Sequence, residues 1–268
     1  MRNILITGAN GYLGRHLVKN INGVVTADRS TFNDSKLLTN AVRHCDVIIH
    51  LIGRTDGSLS EQIEANLLTT SRLLDIINSL DKKPLLIFPS TFAIYQPQKK
   101  IITEMVTPAP RNLYGLTKLL AETCLIHSAK INDLKIIIFR LTGIYGGDMT
   151  GNDHSVVANF LKDDVINVVG NGNQERDLIH VDDVVDAFRK TCVIDLEPGQ
   201  VEIINICTGI GTSIKDLSLM FDKTVVYKPK LLGREGRWIG SYQKARRLLK
   251  WKPKIGLLTG IKRCTLAC

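Results

Sequence analysis

The chain has 268 residues, 44% hydrophobic and 23% charged, which is enough to bury a substantial core without disulfide staples and excludes a disordered chain. Its longest apolar runs are strand-sized, far short of a membrane span, and a strand starting at Asn3 or Ile4 predicts no secretory leader. The formal charge of +9 suits an anionic small-molecule ligand.

Apolar β-branched runs alternate with amphipathic stretches from the start of the chain. The pattern predicts strands near 3–7, 23–27 and 46–51, and helices near 12–21 and 35–44. The rhythm continues with a helix near 61–79, a strand at Leu85–Pro89, a helix over 113–130 and a strand at Leu134–Leu141. Runs such as Lys135-Ile136-Ile137-Ile138-Phe139 lack polar alternation, which implies burial on both faces. The predicted fold is α/β, a doubly wound parallel Rossmann sheet with a smaller C-terminal substrate lobe.

Beyond about residue 146 the rhythm breaks at the glycine- and asparagine-rich stretches 146–152 and 170–173. Residues 1–146 are expected to form a dinucleotide-binding domain, with 177–208 returning to it, and 147–268 mainly the substrate-binding lobe. Near the C-terminus Lys244, Arg246, Arg247, Lys250, Lys252, Lys254, Lys262 and Arg263 crowd together. They flank the helix-spaced Ala245, Leu248 and Leu249, so they read as a solvated helix face, and no nucleic-acid partner is expected. The six cysteines and six histidines have no ligand spacing. The expectation is no metal, buried free thiols, a core role for His50 and a reducing cytoplasm.

Two local patterns carry chemistry. Thr7-Gly8-Ala9-Asn10-Gly11-Tyr12-Leu13-Gly14 directly follows the first strand. Glycines there let the backbone turn sharply and approach a pyrophosphate, and the following helix aims its N–H groups and positive end at it. Asp28 closes the second strand, twenty residues beyond Gly8, where a carboxylate accepts hydrogen bonds from ribose hydroxyls. In Tyr114-Gly115-Leu116-Thr117-Lys118, a phenol and an ammonium lie four residues apart on one helix face. A nearby ammonium favours the phenolate and moves tyrosine toward proton exchange near neutral pH. Ser90 and Thr91 place hydroxyls at the carboxyl end of the fourth predicted strand, the edge where α/β sheets bind ligands.

In sequence order, the segments TGANGYLG, Asp28, DVIIHL, Asn66, PSTFAIY, YGLTK, FRLTGIYG, GNGNQERDLIHVDD and REGRWIGSYQKARRLLKWKP give the chain its resemblance. It resembles the extended short-chain dehydrogenase/reductases of the NAD-dependent epimerase/dehydratase family. The resemblance implies an NAD(P)-dependent enzyme acting on a nucleotide-diphosphate sugar, with Tyr114 exchanging a proton at the sugar. Lys118 would lower the tyrosine's pKa and hold the nicotinamide ribose, and Thr91 would bond the same sugar oxygen, with Ser90 as the alternative. Gly8, Asn10, Gly11, Tyr12, Leu13, Gly14, Asp28, Arg29 and Leu51 would contact the cofactor, together with Tyr114 and Lys118. Asp28 favours NAD, because its carboxylate would repel a 2′-phosphate, while Arg29 favours NADP weakly. Arg176 and Arg234 match arginines that grip the diphosphate.

Asp182 and Asp183 are read as helix N-caps and His180 as structural or lining the cofactor side of the cleft. Phe92-Ala93 follow Thr91 where dehydratases carry acidic groups, which argues against dehydration. Gly143 stands where many relatives have asparagine, so a substrate contact there is missing or has moved. The short chain suggests a less enclosed sugar pocket. The preferred reading is therefore reduction of a 4-keto-6-deoxy sugar nucleotide, with a 4-epimerase as alternative and a non-catalytic dinucleotide sensor or scaffold as a third. Pairing of two copies through the helices near 61–79 and 113–130 is a further expectation.

Overall fold

A computed structural model describes residues 2–149, 155–229 and 236–265, with backbone alone at Arg29 and Thr265. The predicted alternation is realised as β1 (Ile4–Thr7), α1 (Tyr12–Asn20), β2 (Val24–Ala27), α2 (Arg29–Asn33), α3 (Ser35–Arg43) and β3 (Val47–His50). Next come α4 (Leu59–Ile63), a π turn (Glu64–Leu68), α5 (Thr69–Asn78), β4 (Leu85–Thr91), α6 (Leu113–Asn132) and β5 (Ile136–Leu141). The later chain folds as β6 (Gly143–Tyr145), α7 (Val156–Lys162), β7 (Val165–Val169), β8 (Glu175–His180), α8 (Val181–Thr191) and β9 (Val201–Ile206). It continues through β10 (Gly211–Ser213), α9 (Ile214–Ser218), β11 (Thr224–Lys228), β12 (Arg237–Trp238), α10 (Gln243–Leu249) and α11 (Leu257–Thr265).

Six parallel strands form the main sheet in the order β2-β1-β3-β4-β5-β9. Every residue of β1, β3 and β5 is buried, as their unbroken apolar runs require, whereas the edge strand β2 exposes Val25. One face packs on Leu17 of α1, Val184 and Phe188 of α8, and Ala245 and Leu249 of α10. The other face packs on Leu38 of α3, Leu73 and Ile77 of α5, and Ala121 and Leu125 of α6. A separate cluster containing Tyr145, Val157, Phe160, Ile166, Leu217 and Ile261 forms the core around β7, α7 and α9.

The sheet grows in one direction from β1 to β2 and in the other from β1 to β3. The crevice at their carboxyl ends is therefore a topological switch point, where sheets of this kind bind ligands. Two local features depart from the sequence reading. The helix expected near 61–79 starts at Leu59 with a Ser58–Glu61 capping box and contains the π turn around Asn66. The short α2, not expected from periodicity, forms because Asp28 caps it through the Thr31 N–H. Among the described residues no helix is long and apolar enough to cross a membrane.

Candidate active site

The glycine turn is constrained by contact on both sides. Gly8 has φ +69°, and a Cβ there would lie 2.9 Å from the backbone of Leu51 and Ile52. A Cβ on Gly14 would lie 2.4 Å from the Gly8 carbonyl oxygen, so α1 can start against the turn only without that side chain. Gly11 stands at the N-cap of α1, no side chain caps the first turn, and that turn carries no acidic residue. A backbone cradle with the positive end of a helix behind it is thus presented to the switch-point crevice, which fits a dinucleotide pyrophosphate.

Asp28 stands at the carboxyl end of β2, beside the turn. One carboxylate oxygen accepts the Thr31 N–H at 2.8 Å and the Ser30 hydroxyl at 2.7 Å. These bonds hold its pKa down at about 2, so the exposed carboxylate stays ionised. Gly8, Gly11, Tyr12, Leu13, Gly14 and Leu51 line one cleft of about 1280 Å³ together with Thr91, Tyr114, Lys118 and Arg176. Asn10 and Asp28 are not among the residues that line it, and the Arg29 side chain lies outside the described residues.

Tyr114 and Lys118 reach this cleft because α6 comes unusually close to the end of β4. A Cβ on Gly115 would lie 2.2 Å from the Ala93 carbonyl oxygen, so the glycine between the two functional residues is what permits that approach. Asn112 caps the helix by accepting the Gly115 N–H at 2.7 Å. Thr91 ends β4 and accepts the Ala93 N–H at 3.1 Å, and its hydroxyl lies near enough to the Tyr114 phenol to favour the phenolate.

Electrostatically the pair differs from expectation. Burial pushes the Tyr114 phenol up to about 12, the nearby Thr91 hydroxyl offsetting this only in part. Burial likewise pulls Lys118 down to about 7, against the nearby Glu122 carboxylate. The Lys118 ammonium lies 3.7 Å from the centre of the Phe88 ring. The chain alone therefore does not lower the phenol's pKa as expected, because desolvation dominates there.

Asn66 explains the π turn. Its side chain accepts the Arg54 N–H at 2.8 Å and donates to the Arg54 carbonyl and the Thr117 hydroxyl, both at 2.9 Å. The loop after β3 is thereby clamped to α6 directly beside Lys118. His50 is fully buried as expected, with Nδ1 2.7 Å from the Thr7 hydroxyl, but its Nε2 has no partner among the described residues.

On the substrate side, Arg176 lies over the Trp238 ring, 4.3 Å from its centre, and donates to the carbonyls of Glu175 and Gly236. Arg234 lies outside the described residues. Gly143 has a packing reason, since a Cβ would lie 2.8 Å from Leu178 where β6 pairs with β8. The capping roles expected of Asp182 and Asp183 are corrected. His180 is the N-cap of α8, accepting the Asp182 N–H at 3.2 Å, while Asp183 accepts the N–H groups of Lys254 and Ile255. His180 is buried against Tyr145 and is not among the residues lining the cleft. Reading the sequence missed Arg54, Thr55 and Arg111, which also line the cleft. They sit in connecting segments without periodicity, and no sequence signal marks them.

A family model described as the NAD dependent epimerase/dehydratase family matches residues 4–207. The UDP-glucose 4-epimerase of Halalkalibacterium halodurans is 27% identical, over 94% of this chain and 90% of that protein. The crystal structure of the Thermotoga maritima UDP-glucose 4-epimerase with UDP-glucose is 26% identical and superposes with a TM-score of 0.87, covering 97% of this chain and 96% of that one. MoeE5, solved with UDP-glucuronic acid and NAD, is 22% identical. It shares the fold at a TM-score of 0.89 over 99% of this chain and 100% of its own.

Proposed function

We propose that this chain, which belongs to the NAD-dependent epimerase/dehydratase family, is a nucleotide-sugar 4-epimerase that uses NAD and takes a UDP-linked sugar. The observation that carries the reading is the meeting of Thr91, Tyr114 and Lys118 with the glycine turn in one cleft. The likeness to UDP-glucose 4-epimerases over nearly the whole chain points the same way.

This reverses the preference for a ketoreductase drawn from the sequence. That preference rested on a short chain and a trimmed lobe, yet the fold covers 96% of the Thermotoga epimerase structure. Shortness therefore does not single out a reductase. The absence of an acidic pair after Thr91 still argues against dehydration, since Phe92 and Ala93 cannot move a proton.

Epimerisation at one carbon requires that a hydroxyl proton and a hydride leave and that both return, the hydride to the opposite face. The dinucleotide, when bound, supplies reversible hydride acceptance, and its oxidised ring carries a positive charge that favours the Tyr114 phenolate. Tyr114 takes the hydroxyl proton and later returns it. Thr91 holds the same oxygen, fixing its distance from the phenol, and Lys118 orients the nicotinamide ribose. The Gly8–Gly14 cradle holds the pyrophosphate, Asp28 the adenosine ribose, and Arg176 the sugar diphosphate. Proton and hydride are both regained, so no cofactor is consumed.

Incubating the purified protein with UDP-glucose or UDP-galactose and catalytic NAD tests this. Interconversion supports the reading. Stoichiometric oxidation of NADH by a 4-keto sugar nucleotide, without interconversion, would move the assignment to a reductase.

A further inference from the structure

A column of buried rings runs under the cleft. Phe32, on the helix capped by Asp28, stacks on His50 at 5.9 Å between ring centres and 17° between planes. His50 in turn stacks on Phe88 at 6.2 Å and 27°. The ammonium of Lys118 lies 3.7 Å from the centre of the Phe88 ring. Phe88 and His50 are fully buried, Phe32 is 3% exposed and Lys118 is 4% exposed.

Among the described residues the Lys118 ammonium has no hydrogen bond or ion pair, and the Phe88 face is the contact that marks its place. A ring face attracts a cation through its quadrupole, and the attraction strengthens where water is excluded.

We propose that Phe88, braced from behind by His50 and Phe32, is the positioning residue of Lys118, aiming its amine into the cleft and favouring its charged form. The titratable groups facing Lys118 fit that role. Glu122, one turn along α6, pairs with Arg140 of β5 at 2.7 Å and also favours the charged lysine, and Tyr114, one turn back, is pushed up to about 12. His50 on β3 is held near 3 by burial and stays neutral, so it adds no repulsion. Lys118 alone among them titrates near neutrality, at about 7. The same column ties α2, whose cap Asp28 is read as the ribose ligand, to the lysine read as the ligand of the other ribose.

The inference rests on the proposed reading only in taking Lys118 to meet the nicotinamide ribose, so its test needs no sugar turnover. The probe is NADH, titrated by its bound fluorescence across pH. Phe88→3,4,5-trifluorophenylalanine keeps the ring's shape while withdrawing electron density from its face, so a structural role alone would leave the pH midpoint of binding where it stands in the native protein. The expected result is an acid shift of about 0.5 to 1 pH unit, since a cation–π contact of this kind corresponds to that much. Phe88→Tyr should keep the native midpoint, and Phe88→Met should shift it as the fluorinated ring does. Superposable midpoints in the native, fluorinated and Met proteins would overturn the inference. Failure of interconversion with a normal shift would overturn the epimerase reading alone.

Discussion

At position 114 a single hydroxyl separates a proton-transferring side chain from an inert one. Tyr114→Phe removes only that group, so turnover should fall by about 10²–10⁴-fold or more while NADH binding stays measurable by fluorescence titration. Asp28 does two things, capping α2 and presenting a charge at the ribose end of the crevice. Asp28→Asn retains capping capacity but loses the charge, so thermal stability should hold while the NAD-to-NADP preference, measured as the ratio of binding constants, falls by about tenfold. These residues were legible in the sequence because their chemistry is local: four-residue helical spacing, a strand end, a glycine run. Arg54, Thr55 and Arg111 were not, because the loops that carry them are placed by tertiary contacts such as the Asn66 clamp on Arg54.

At the scale of elements, the decisive contact is α6 against the turn that follows β4. Gly115→Ala would place a methyl 2.2 Å from the Ala93 carbonyl oxygen. The helix must shift, which should cost about 1–3 kcal/mol by urea denaturation and lower kcat by moving Tyr114 away from Thr91. Asn66→Ala leaves the Arg54 N–H and carbonyl without their partner and should cost about 1–3 kcal/mol, with a raised KM for the nucleotide sugar. The parallel strands were readable as unbroken apolar runs, since burial on both faces leaves no other composition. Strands β6, β10 and β12 have two or three residues each and no pattern of their own, and they exist because β8 lies beside them. The π turn is likewise invisible in periodicity, because what bends the helix there is one buried amide bonded across to another element.

For the molecule as a whole, buried titratable groups set the response to acid. His50 is held near 3 in the fold, against 6.5 for an ordinary histidine. The unfolded chain therefore binds a proton between those values that the fold refuses, and stability falls as pH drops from about 6.5 toward 3, by about 1.4 kcal/mol per unit from this one group. His50→Gln should flatten that loss by about one proton's worth, measured as urea midpoints at several pH values. The parallel, doubly wound sheet was foreshadowed by the alternation of strands and helices, whereas its strand order comes only from the fold. The choice between reducing and epimerising was not, because it depends on what happens to a keto sugar before release, and no single residue records that. The most direct measurement uses a UDP-hexose deuterated at the reacting carbon, with catalytic NAD and the products read by NMR. The expected product is the opposite epimer, with deuterium retained at the inverted carbon and no net NADH. Loss of the label from the inverted carbon to solvent, or product formed only with stoichiometric cofactor consumption, would contradict it.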